Sequence, residues 1–152
     1  MLRAIHKSIV IQQHWDTFFN LPEDVLVELR FWLQSFHKLN SRYFVRSLEY
    51  TRVVYSDASD IGAGGYSVQY NDKVSHLFWS DSEKTMSSTW RELRAVLSVL
   101  VSLVDILRDQ TVKWYSDNQS VIAIVDHGSG KAHLQSLALQ IYHFSVLHNV
   151  KI

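Results

Sequence analysis

The chain has no cysteine and a single proline among its 152 residues. Without cysteine there is no disulfide partner, no thiolate zinc site and no cysteine nucleophile. That absence fits a reducing compartment, and an intracellular location, cytoplasm or nucleus, is expected. Long apolar runs are missing as well: none approaches the roughly 20 residues that a membrane-crossing helix needs, so no membrane partner is expected. The opening "MLRAIHKSIVIQQHW" has a short apolar core and no small-residue cleavage site, and is not read as a signal peptide. Nor does charge of one sign dominate, since Lys plus Arg equals Asp plus Glu at 15 each. Bulk charge therefore does not select a polyanion, and any nucleic acid would have to be held by local groups, main-chain amides or a metal.

What is present points to a folded globule. Hydrophobic residues make up 47% of the chain and aromatics 12%, which supplies a core and argues against disorder. Pro22-Glu23-Asp24 opens a helix over residues 22–39, in which Val25, Leu26, Leu29, Trp32, Leu33 and Phe36 recur at helical spacing. From residue 51 the texture changes. "TRVVYSDA", "GGYSVQY" and "VSHLFWS" read as strands, with Asn71-Asp72 as the hairpin turn between the last two. "SSTWRELRAVLSVLVSLVDIL" turns helical, with Ser88 near its cap and Leu93, Val96, Leu97, Leu100, Val104 and Leu107 on one face. "TVKWYSD" is a fourth strand, "NQSVIAIVDH" and "AHLQSLALQIYHFSVLHN" are two helices, and "VKI" opens a fifth strand. This order predicts an α/β domain with a mixed five-stranded sheet and helices packed on it, preceded by a helical segment.

Three acids stand out by placement. Asp57 ends the first strand, Glu92 lies in the first turns of the long helix, and Asp117 ends the fourth strand. Strand ends beside helix starts are where open α/β sheets gather ligand groups. Carboxylates brought together repel one another unless cations lie between them, and their hard oxygens favour magnesium or manganese. Read singly, each acid is equally a helix cap or a surface charge.

"YSDASDIGAGGYSV", "SSTWRELRAVLSVL" and "WYSDNQSVIAIVDHGSGKAHLQSLALQIY" resemble, in order and spacing, the ribonuclease H domain of retroelement reverse transcriptase polyproteins, above all the DIRS-like group that carries a tyrosine recombinase. The resemblance covers residues 50–152, and residues 1–49 are similar to the segment connecting polymerase to ribonuclease H. It implies a ribonuclease H-like fold, a metal-dependent endonuclease cutting the RNA strand of an RNA–DNA hybrid during reverse transcription, and two Mg²⁺ ions, with Mn²⁺ as a substitute. The remainder of the polyprotein is an implied partner. Asp57, Glu92 and Asp117 are the implied catalytic metal ligands. Ser59, Arg91, Asn118 and Gln119, which flank them, are substrate-binding candidates, with a cap of the following helix as the other reading of Asn118. Gly62-Ala63-Gly64-Gly65 would let a nucleic-acid backbone approach the second strand. The family pattern continues into Ile-Pro-x-x-x-Asn-x-x-Ala-Asp, whose Asp is a fourth ligand. This chain ends at Ile152, so the implied domain is incomplete at its C-terminus, and a catalytically inactive module for nucleic-acid binding or scaffolding is the alternative.

Other patterns fail on their own terms. Gly62-Ala63-Gly64 is followed by a strand and lacks a glycine at position 67, so it is no dinucleotide fingerprint. "DHGSGKA" lacks the first glycine and the final hydroxyl of a phosphate loop. Trp79, Trp90 and Trp114 are expected in the core because of the area they bury.

Overall fold

A computed structural model describes residues 3–11, 16, 18–39 and 49–152. Among them are seven helices and one sheet of four strands, in the order α1 (Arg3–Ile11), α2 (Glu23–Leu39), β1 (Arg52–Ala58), β2 (Gly62–Ser67), β3 (Tyr70–Phe78), α3 (Asp81–Lys84), α4 (Ser88–Ser102), α5 (Val104–Leu107), β4 (Val112–Tyr115), α6 (Gln119–His127) and α7 (Ala132–Leu147). No helix among the described residues is long and apolar enough to cross a membrane. The strands lie in the order β3-β2-β1-β4. β1 is antiparallel to β2 and parallel to β4, so the sheet is mixed and β1 is flanked on both sides.

Strand periodicity decides which side chains meet the helices. Val54 and Ser56 of β1 point inward, against α4 and its buried Leu93, Val96, Val99 and Leu100. Gly65 marks how closely the two layers approach: a Cβ there would lie 2.5 Å from a methyl of Val99. Behind α4 lie α7 and α6, with Leu134, Leu137, Ala138, Ile141, Val121 and Ile124 in the same core. The opposite face of the sheet is open. Tyr55, Tyr66, Val74, Phe78 and Tyr115 are exposed on it. Tyr66 stacks on Tyr55 at 5.4 Å and Tyr55 on Tyr115 at 4.8 Å, one ring from each of three adjacent strands.

The helix expected to run unbroken through Leu107 is interrupted at Leu103, whose backbone leaves the helical region, and becomes α4 and α5, and two expected features of the strands differ as well. The sheet has four strands rather than five, because "VKI" contributes only one parallel bridge, Lys151 to Thr111. Asn149, with φ of 51°, and the bond from the Asp109 amide to the His148 carbonyl hold the chain in a turn up to Val150. Lys151 then makes one main-chain bond in each direction, too few for a ladder. The hairpin turn lies at Val68-Gln69, not Asn71-Asp72. The Val68 amide donates to the Val53 carbonyl and the Gln69 side chain accepts from the Val53 amide, which fixes the turn early. Asn71, Asp72 and Lys73 are left without partners on β2, at a shift in register after Tyr66.

The N-terminal helices are tied to the rest by a buried acid. α1 packs on α2 and α2 on α7. Leu29, Leu33 and Phe36, expected on the buried stripe of α2, are exposed, whereas Val25, Glu28 and Ser35 are buried. The inward turn of Glu28 explains the rotation. Its carboxylate accepts from the Arg3 and Ile5 amides at the start of α1, at 3.1 and 2.9 Å, and from the Gln135 side chain of α7 at 2.9 Å. The first amides of a helix have no partner within it, and here a distant carboxylate takes two of them.

Candidate metal centre

β1 ends one residue after Asp57, and β4 ends two residues before Asp117. Because β1 and β4 are parallel neighbours, their C-terminal ends lie side by side and bring the two acids together. α4 begins where Ser87 caps it, its hydroxyl accepting from the Trp90 amide. Glu92 follows in the second turn, on the face of α4 that packs against β1. One carboxylate oxygen from each of Asp57, Glu92 and Asp117 lies within 4.8 Å of the others.

The three acids are not equivalent. Asp57 and Asp117 are exposed, whereas Glu92 retains 5% of its accessible surface. Burial, then the charges of Asp57 and Asp117, push the Glu92 carboxyl up to about 7. The Ala58 amide and the Arg91 guanidinium pull the other way and are outweighed. Its Oε2 is buried with no hydrogen-bond partner. A buried, unpartnered carboxylate oxygen is costly, and two further acids facing it add repulsion. A divalent cation would answer both, and an all-oxygen donor set suits a hard one. The cluster therefore fits a metal ion.

Supports lie beneath the cluster. The Trp114 indole N–H donates to the Ser56 hydroxyl at 2.8 Å, pinning β4 to β1 one residue before Asp57. The Trp79 indole N–H donates to the Ser59 carbonyl at 2.8 Å and holds the loop after β1. Trp79 is buried, and Trp90 and Trp114 are half-buried against the core, as their size suggests.

The structure gives the flanking candidates specific duties. Ser59 closes the turn between β1 and β2: its hydroxyl donates to the Gly62 carbonyl and accepts from the Ile61 and Gly62 amides. Arg91 turns into the same loop, pairing with Asp60 at 2.8 Å and donating to the Ser59 carbonyl at 3.2 Å. Only 14% of its side chain is exposed. Asn118 is the N-cap of α6, accepting from the Ser120 and Val121 amides. Gln119 is exposed at the first position of α6, two residues after Asp117. Sequence reasoning missed the loop-holding part of Trp79 and Arg91. The position of Ser59 two residues after Asp57 is a signal of proximity, but nothing in it separates a turn hydroxyl from a ligand contact.

Compared with the models of known protein families, with curated proteins and with solved structures, the chain matches none.

Proposed function

We propose that this chain is a ribonuclease H-like domain of a retroelement reverse transcriptase, with α1 and α2 belonging to the segment that joins it to the polymerase. In this reading it cleaves the RNA strand of RNA–DNA hybrids, with Asp57, Glu92 and Asp117 holding two Mg²⁺ ions, or Mn²⁺ in their place. The observation that carries the reading is the buried, unpartnered oxygen of Glu92 facing two exposed carboxylates. The Asp-Ala-Ser, Arg-Glu-Leu and Ser-Asp-Asn segments, on the end of β1, on α4 and just after β4, support it.

Each residue has a distinct part. Glu92 is the inner anchor, shielded from water and able to keep a proton near neutral pH while no cation is bound. Asp57 and Asp117, open to solvent, are placed to face cation and phosphate together. Divalent cations held there would supply an activated water and stabilise the leaving oxygen of an in-line displacement. They would also bring positive charge to a chain with none in net, at the one place a scissile phosphate must come. Trp79, Arg91 and the Ser56–Trp114 bond keep the Asp57 loop and the two strand ends in place.

A labelled RNA–DNA hybrid tests the reading. Wild type is expected to cleave the RNA strand in Mg²⁺ or Mn²⁺, to stop in excess EDTA, and to be inactive as Asp57→Asn. Undiminished cleavage by Asp57→Asn would remove the metal assignment. A second reading, a ribonuclease H-like module that binds or scaffolds nucleic acid without cutting it, is favoured by the cluster's having three acids among the described residues, few donors for two cations. Hybrid binding without cleavage in either metal would select it.

A further inference from the structure

Charge is spread unevenly along this neutral chain. Its first acid is Asp16 and its last is Asp126, so residues 1–15 and 127–152 contain no acidic side chain. Those two stretches hold Arg3, Lys7, Lys131 and Lys151 and six of the eight histidines. The fold brings them together. Arg3 Nε donates to the His127 carbonyl at 3.1 Å, at the end of α6. The Gln135 side chain of α7 donates to Glu28, which holds the Arg3 and Ile5 amides, and accepts from the Ser129 amide at 2.7 Å. Gly128, with φ of 78°, lies so near that a Cβ there would be 2.7 Å from Gln135 Oε1 and 3.3 Å from Arg3 Cγ. The start of α1 is clasped to the loop between α6 and α7.

We propose that this clasp is a phosphate-binding surface for a nucleic-acid backbone, built by Arg3 and Lys7 of α1 with Lys131 at the start of α7. Arg3 and Lys7 stand one turn apart on the same face of α1. All three are exposed, and apart from Arg3 Nε their side-chain nitrogens make no hydrogen bond or ion pair among the described residues. Glu28, the acid inside the clasp, is fully buried and accepts from three donors. Asp126 turns instead to the hollow beside Val112 and Ile152. Arg3 alone serves the free carbonyls that end α6, and the further cations are left for another anion. Lys and Arg are not buried without counter-charge, so whatever lies on this surface is itself negative. A nucleic-acid backbone fits because α6 joins the surface to the carboxylates. The helix starts just after Asp117 and ends at Arg3's partner His127, nine residues or about 13 Å on. That is about four nucleotide steps along a duplex. The inference rests on the nuclease reading and names where the duplex is gripped away from the metals.

Surface variants test the grip without touching the metal cluster. Affinity for an RNA–DNA hybrid is read by fluorescence anisotropy over a salt series in EDTA, for wild type, Lys7→Glu, Lys131→Glu, the double variant and Lys73→Glu. Mn²⁺ affinity is read by calorimetry on the same proteins without nucleic acid. Lys73, exposed on the edge strand β3, is the control. An acid at position 131 favours the first turn of α7, so Lys131→Glu keeps the fold. Expected losses of hybrid affinity at low salt are about fivefold for Lys7→Glu and for Lys131→Glu and at least twentyfold for the double variant. The slope of log affinity against log salt should fall by about 1 for each lysine removed. Lys73→Glu and every Mn²⁺ affinity should stay within about twofold of wild type. A double variant with wild-type affinity and salt slope would overturn the grip and leave the metal centre standing. Losses as large for Lys73→Glu would reduce the effect to overall charge and overturn the surface. The expected losses in a protein that takes no Mn²⁺ would overturn the nuclease reading and keep the grip. A wild type that binds polyglutamate but no hybrid would give the surface to an acidic protein segment and overturn the nucleic-acid assignment; one that binds neither would overturn the surface outright.

Discussion

Glu28 and Glu92 are both buried, yet their surroundings are opposites. Glu28 is fully enclosed and both its oxygens accept hydrogen bonds, from two helix amides and a glutamine. Glu92 has one oxygen without a partner and two more carboxylates in front of it. The first arrangement satisfies a charge with fixed dipoles and ties two helices to a third. The second gathers acids whose charge, among the described residues, the Arg91 guanidinium only partly offsets. A buried acid that is complete in itself reads as architecture, and one that is incomplete reads as a site.

Substitutions can break this contrast in order of expected effect. Glu28→Ala removes the shared acceptor of two helix amides and a glutamine side chain at once and is expected to cost about 4 kcal/mol of stability. Denaturant titration would show it, with Mn²⁺ affinity untouched; a loss under 1 kcal/mol would mean that the node is ornamental.

Titration comes next. Glu92 holds its proton in the folded chain up to about pH 7, whereas its ordinary value is 4.5. Between those values the folded state binds the extra proton, so metal-free stability falls as pH rises through this window and levels off above it. The full span is worth up to about 3 kcal/mol. Glu92→Gln should remove that slope in EDTA, and an unchanged slope would assign it to other groups. The same variant should lower Mn²⁺ affinity at least hundredfold, about 2.7 kcal/mol, without destabilising the metal-free fold. Glu28→Gln, by contrast, should leave the metal affinity alone.

The smallest effect concerns Asn118. Its side chain caps α6, so Asn118→Ala is expected to cost about 1 kcal/mol of stability. Nearly unchanged hybrid affinity would assign it to the cap. A tenfold loss would return it to the substrate.

Much of this layout is legible in the residues, and the illegible parts share a cause. The stripe of α7 and the β-branched run before Asp57 carry local periodicity, and their elements appear where the pattern puts them, whereas the helix read as continuous through Leu107 ends at Ser102 and resumes as α5. Asp57, Glu92 and Asp117 could be picked out because strand ends and helix starts are themselves local features. Glu28 could not, since its partners Arg3 and Gln135 are distant in sequence and a charged residue between apolar ones reads as surface. Arg91 likewise reads as a free cation until the loop at Ser59 and Asp60 folds onto it. The fifth strand failed for a related reason. "VKI" has strand character, but pairing is decided by the turn at Asn149 and by the neighbour at Thr111.

The stacked tyrosines have an optical consequence. Tyr66, Tyr55 and Tyr115 lie nearly parallel, with interplanar angles of 13° and 10°. Rings this close couple their electronic transitions, so the three phenols of β2, β1 and β4 contribute a shared component to the circular dichroism. Near-ultraviolet circular dichroism should therefore report the alignment of the strands that carry Asp57 and lead to Asp117. A cation drawing those strand ends together would change the sign or size of that band while the secondary-structure signal stayed constant. The protein thus carries, one turn of the pleat from its acids, a label that no chemist needs to attach.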